Sequence, residues 1–211
     1  MFLGHFGVAF AAKRAAPKTS LGFLVFAAQF ADLLWPILLL FGVEKVRIVP
    51  GLLAASPFDF TRYPISHSLV AQLGWGALVG LICFSIHRDG KSALLLGSLV
   101  PTHWVLDFVA HRPDMPIYRG GPKYGLGMWN SIPLTISVEY VLFAAGIALY
   151  LSKTHAKDAT GKWGGLNRSV QHLLAVYLPE FEIPKFFLDA DLSATPPHRA
   201  RLENTLTSLF S

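Results

Sequence analysis

Four stretches of this chain contain no Lys or Arg: Ser20 to Val43, Pro64 to Ile86, Ser92 to His111 and Ile132 to Ser152. Each is long enough to cross a bilayer's hydrocarbon core, which needs about 20 apolar residues. Backbone amides cannot go unpaired in lipid, so such stretches fold as helices. Over the whole chain 53% of residues are hydrophobic and 15% charged. A soluble domain carries about 25% charge. Mean hydropathy is +0.46. The expected class is all-α: a polytopic membrane protein with about four transmembrane helices, which would be residues 1–152. Met1 to Ala12 is apolar but too short to span, and reads as an N-terminal half-helix or re-entrant segment.

A pI of about 9.4 invites a nucleic-acid reading. However, the 18 Lys and Arg are scattered singly, and Lys13-Arg14 is their densest pair. A phosphate-binding face needs them clustered. No nucleic-acid partner is expected, and the bilayer is. Nine Lys and Arg flank one side of the four spans and six the other. The positive-inside rule then places both termini in the cytoplasm.

Beyond the last span, residues 153–178 read as a juxtamembrane linker and an amphipathic helix. Trp163, Leu166, Val170, Leu173, Leu174 and Tyr177 recur there at helical spacing, the pattern of an interfacial helix. Residues 179–211 carry five acids and three bases and read as a polar tail. The lone cysteine, Cys83, rules out a disulfide within the chain.

The informative residues are ionisable ones inside the spans: Asp32, His67, His103, Asp107, His111 and Glu139. Intramembrane ionisable groups are costly and mark function by default. With no Lys or Arg in any span, the three carboxylates must be protonated, paired with His, or neutralised by a bound cation. The bound cation explains the histidines as well. His103, Asp107 and His111 recur every four residues, so each drifts about 40° from the last and all three share one helical stripe. Neutral imidazole with carboxylate is a ligand set for zinc or another first-row divalent ion. Under the assigned orientation five of the six lie in the outer half of the membrane, with Asp32 at the floor. His111 closes a span and is either a ligand or wet. Glu139 is either a group behind the ligands or a protonated carboxyl bonded to Thr135. His5, ahead of the first basic pair, reads as a surface residue on spacing alone.

The connection from Arg112 to Ser131 begins beside His111 and holds three prolines and four glycines. Long irregular loops in compact proteins are usually functional or disordered. Arg112, Arg119 and Lys123 are candidates to bind an anionic head group, or they are simply membrane-surface charge.

Several pieces together resemble the LexA-binding, inner-membrane-associated metal-dependent hydrolases. They are Gly4-His5, Ala31-Asp32-Leu33-Leu34-Trp35-Pro36, Ser66-His67-Ser68, His103-Trp104-Val105-Leu106-Asp107, and Gly125 through Ser131. The resemblance covers roughly Met1 to Gly164. It implies a metal site of His5, Asp32, His67, His103 and Asp107, which promotes His5, and a bacterial inner-membrane location. The chain departs from the family at Arg62, where relatives carry a His. It also turns polar after Gly164, where they tend to continue apolar.

The expected function is a membrane-embedded hydrolase dependent on a divalent metal, most simply zinc. Asp32 or Glu139 would be the general base, and an amphiphilic, phospholipid-like ester the substrate. Two alternatives use the same residues: an ion-coupled permease, against which the lack of an internal repeat weighs, and a non-catalytic membrane interaction protein.

Overall fold

The computed structural model describes residues 1–152 and 154. The amphipathic helix and the polar tail expected beyond them lie outside the described residues. The described residues are mostly helical. Helix α1 (Phe2–Ala15) leads into α2 (Leu21–Ala28) and α3 (Phe30–Leu40). An antiparallel hairpin, β1 (Lys45–Ile48) and β2 (Phe58–Arg62), precedes α4 (Leu69–His87) and α5 (Gly90–Ala110). A two-residue strand pair, β3 (Met115–Pro116) with β4 (Lys123–Tyr124), and a 3-10 turn at Met128–Asn130 lead to α6 (Ile132–Leu151).

Helices α4, α5 and α6 are long and apolar enough to cross a membrane. Their boundaries follow local chemistry. Ser68, Asp89 and Ser131 cap α4, α5 and α6, each accepting a backbone N–H of the first turn, which satisfies one orphan donor per helix. Arg88 ends α4 in the left-handed region at φ 54°. Outward residues such as Leu81, Leu94, Val105 and Val141 are exposed apolar side chains, as a lipid-facing surface requires. Helix α5 is the central one: 39% of its most apolar stretch is buried, against 17% for α4 and 22% for α6.

The first apolar stretch is not one straight helix. It breaks at Gln29 into α2 and α3, bent by 56°. Proline is the usual cause of a kink, yet Pro36 sits inside α3 and the break lies elsewhere. At the break the Ala28 carbonyl accepts from His103 Nδ1 at 3.0 Å. Residues 64–68, expected as the start of a span, are also non-helical. The amides of Ile65 and Ser66 donate to the Glu44 carboxylate at 2.7 and 2.9 Å instead of entering a helical ladder.

Glycines set the closest helix contacts. A Cβ on Gly76 would collide with the Gly97 carbonyl, and one on Gly97 would lie 2.8 Å from the Gly76 oxygen. The small-residue pairs of α4 and α5 thus let the two backbones touch. Helices α1 and α6 meet the same way at Gly7 and Gly146, where a Cβ on either overlaps the other helix's backbone. An aliphatic core of Leu24, Leu96, Leu99 and Val100 fills the bundle. At the other end Phe60, Tyr63 and Met115, with Trp35, Trp104 and Trp129 against them, form an aromatic cap.

Candidate metal centre

Four separate elements bring ionisable side chains to one buried spot. The α5 stripe supplies His103 and Asp107, and His111 as the residue that ends the helix. Helix α1 supplies His5, α3 supplies Asp32 just after the break, and the segment before α4 supplies His67. All are buried except Asp32, whose side chain is 38% exposed. Asp32 is therefore the one accessible face of the cluster.

The donor atoms converge. Asp107 Oδ2 lies 3.1 Å from His103 Nε2 and 3.8 Å from both His67 Nε2 and His111 Nε2. Asp32 Oδ1 is 3.5 Å from His67 Nε2 and from His103 Nε2. On the opposite oxygen, Asp107 Oδ1 meets His5 Nε2 at 3.2 Å and the Met1 nitrogen. The His5 and His103 rings stack at 3.8 Å. Two groups of three donors close enough to share an ion result: His5, His103 and Asp107, and Asp32, His67 and His103.

Protons on the far nitrogens decide what this cluster can do. His103 Nδ1 faces the Ala28 carbonyl at 3.0 Å. A carbonyl only accepts, so Nδ1 carries the hydrogen and a neutral ring has its Nε2 lone pair free. Among the described residues that buried Nε2 has no hydrogen-bond partner. His111 Nδ1 lies 3.0 Å from the Asp114 carboxylate, which likewise only accepts. His67 Nδ1 lies 2.7 Å from Ser66 Oγ, whose single proton goes to Glu44 Oε2 at 2.5 Å, so His67 must be the donor. Three imidazoles therefore turn Nε2 lone pairs toward carboxylate oxygens. Lone pair against carboxylate is repulsive unless a cation lies between. Protonating one ring relieves one contact, but several adjacent imidazolium ions would repel one another in this water-poor place.

The donor set fits a divalent ion. Tetrahedral donors about 2.0–2.1 Å from zinc stand about 3.3–3.4 Å from one another. The separations here, 3.1 to 3.8 Å, bracket that value. The supports behind the rings, a carbonyl, a Ser–Glu pair and a carboxylate, are the partners that orient metal-ligating histidines.

Not every candidate joins the cluster. His111 and Glu139 belong to neither group of three. Glu139 accepts from the amides of Phe2 at 3.1 Å and Leu3 at 2.5 Å. These carboxyl oxygens satisfy open amides of the first turn of α1, and they hold the helix that carries His5. Thr135, the other partner considered for Glu139, donates to the Met128 and Ser131 carbonyls.

The three loop cations have separate surroundings. Arg112 is paired with Asp59 and, at 3.2 Å, with Asp114. Lys123 sits 6.0 Å above the Tyr63 ring. Arg119 is exposed. Asp59 also takes two bonds from Arg47, and these hold its carboxyl below the usual carboxylate range. Burial raises the Tyr63 phenol, which stays protonated and donates to Asp114. A chain of polar contacts thus runs from Arg47 through Asp59, Arg112 and Asp114 to His111.

Sequence reasoning missed Glu44. It is an acid just past an apolar stretch and beside Lys45, and nothing local separates it from an interfacial charge. The structure instead buries it behind His67.

A bundle with apolar helices of membrane-crossing length, whose buried His and Asp groups could hold a metal ion, is the class that fold and site define. Comparison with known protein families, with curated proteins and with solved structures found no match to this chain.

Proposed function

We propose that the protein is a membrane-embedded hydrolase dependent on a divalent metal, most simply zinc. The observation that carries this reading is the pair of Nε2 lone pairs, from His67 and His103, aimed at the carboxylates of Asp32 and Asp107. Structural zinc sites close all four positions with protein ligands, whereas catalytic ones leave one open. The exposed edge at Asp32 supplies such an opening. The resemblance to inner-membrane metal-dependent hydrolases agrees with this donor set, and with His5 as a member of it.

A bound divalent ion would lower the pKa of a coordinated water toward about 7 and polarise the scissile oxygen. The chain does the rest. His67 and His103 are locked in the ligand tautomer by Ser66 and the Ala28 carbonyl. Asp32, at the accessible edge, would take a proton from an attacking water on the carboxylate oxygen that is not turned to His67 and His103. The aromatic cap of Phe60, Tyr63 and Trp129 excludes bulk solvent above His111. An opening at membrane depth suits an amphiphilic ester, phospholipid-like in having an apolar tail and a polar reacting end. With α2 and α3 taken as one broken span, four spans put both termini in the cytoplasm of a bacterial inner membrane.

Two experiments test the reading. Full-length protein in lipid nanodiscs should release phosphate or fatty acid from a panel of lipid esters only when metal-loaded, and Asp32→Asn should stop it. Metal-independent turnover, or none on any phospho- or carboxyl ester, contradicts the assignment. For orientation, in a Cys83→Ala background, Pro122→Cys should react with an impermeant thiol reagent from the outside while Lys91→Cys stays protected. The opposite pattern would invert the topology.

A further inference from the structure

A second feature lies on the other side of the segment that carries His67. An apolar groove of about 440 Å³ runs along α4, lined by Ser68, Ala71, Gly74, Trp75 and Leu78, with Arg119 at one end. Pockets of this size are in the range that holds small ligands, about 300–1,000 Å³. The α4 residues recur at helical spacing, so they form one stripe. From Ser68 to Leu78 the stripe is about 15 Å long, at about 1.5 Å per residue. That is half of a hydrocarbon core of about 30 Å, the depth of one leaflet.

The groove is built rather than incidental. Nothing lies within 4 Å of where a Gly74 Cβ would stand, so bare backbone forms part of its wall. Trp75 is fixed by a 2.8 Å bond from its indole N–H to the Ile65 carbonyl, and its ring packs on Phe30 at 5.6 Å. The polar end is anchored as well. Val70 N donates to the Ile117 carbonyl at 3.0 Å, and Gly121 N to Tyr118 at 2.9 Å, which holds the Tyr118-Arg119 turn over the start of α4. Arg47 and Arg112 are neutralised by Asp59 and Asp114. Among the described residues no carboxylate pairs with Arg119.

A cation at the interface above a leaflet-deep apolar groove complements an anionic head joined to a hydrocarbon tail. We propose that this groove binds one phospholipid of net negative charge, its phosphate on Arg119 and one acyl chain along Ala71, Gly74 and Leu78. The assignment deepens the hydrolase reading by naming the lipid class held beside His67. It rests on that reading only in taking α4 as a membrane helix, and not on the metal.

The test uses the full chain in nanodiscs of phosphatidylglycerol or of phosphatidylcholine, each doped with the matching lipid bearing a mid-chain diazirine. After photolysis, phosphatidylglycerol should label residues 71–78 preferentially, at up to one lipid per chain. Arg119→Gln should cut that labelling about fivefold, the worth of one basic residue near an anionic lipid surface. Gly74→Leu, at a position whose Cβ meets nothing within 4 Å, puts a side chain into the groove and should move the label off 71–78. Metal content measured on the same samples should equal the parent's in both variants, so that loss of the lipid result and loss of the metal result are separate events. Equal labelling by both lipids, labelling spread over the outer faces of α4, α5 and α6, or insensitivity to both variants would overturn the proposal. So would a crosslink between two copies through α4, which would make the groove a protein interface.

Discussion

Asp107→Asn is expected to abolish metal binding while the protein still inserts and folds. Asparagine keeps the shape and the hydrogen-bonding capacity and removes only the charge. If Asp107 merely glued helices, the change would be small, because intramembrane hydrogen bonds average about 0.6 kcal/mol. Here Asp107 touches His5, His103, His67 and His111, and it is the anion that both faces of the cluster share. Without it, bound metal would sit under-neutralised among neutral rings. Metal per chain should fall at least tenfold, and apo stability should fall as well, since the buried Met1 ammonium loses its carboxylate partner. His103→Ala should give the same loss, and the double variant should add almost nothing, because the site is already lost. Full occupancy in Asp107→Asn, read by elemental analysis, would remove this residue from the centre.

Glu44→Gln should weaken metal binding without touching a ligand. Glu44 Oε1 accepts two backbone amides and Oε2 accepts the Ser66 hydroxyl proton. The glutamine carbonyl can keep the amides, but an NH2 then faces Ser66 and must donate to it. The Ser66 proton is released toward His67 Nδ1, and the ring shifts to the tautomer whose Nε2 carries hydrogen. That tautomer cannot ligate. Losing such a support typically costs 10–100-fold in metal affinity, which a competitive chelator titration would read. Glu44→Ala adds a folding cost, since one buried and one part-buried amide lose their partner at about 1–3 kcal/mol each. Unchanged metal affinity in Glu44→Gln would show that Glu44 only closes the loop backbone.

What the sequence reveals and what it conceals follow from the range of the forces involved. Helices α4, α5 and α6 lie close to the Lys- and Arg-free stretches because lipid compatibility is a local property of composition. The stripe of His103, Asp107 and His111 is legible because it belongs to one helix, where spacing fixes direction. The break at Gln29 is not, since it is tied to a contact between Ala28 and His103, 75 residues apart. Pro36, the visible breaker, stays inside α3. His5 shows nothing by itself; it reaches the centre because Gly7 lets α1 lie against α6 and Glu139 holds its first turn. The ionisable character of Glu139 stands out in an apolar span, but its partners are amides at the other end of the chain. Arg112 looks like a free interfacial cation until Asp59, from a hairpin with no strong sequence signal, closes on it.

The central claim is that the buried His and Asp cluster exists to hold a metal ion. Elemental analysis of the full-length protein, purified in detergent without chelator or affinity metal, tests it most directly. At least one divalent ion per chain is expected, retained through dialysis, removed by a strong chelator and restored at the same stoichiometry on readdition. Protein that stays folded, with substoichiometric metal and no uptake of zinc or other first-row divalent ions, would contradict it.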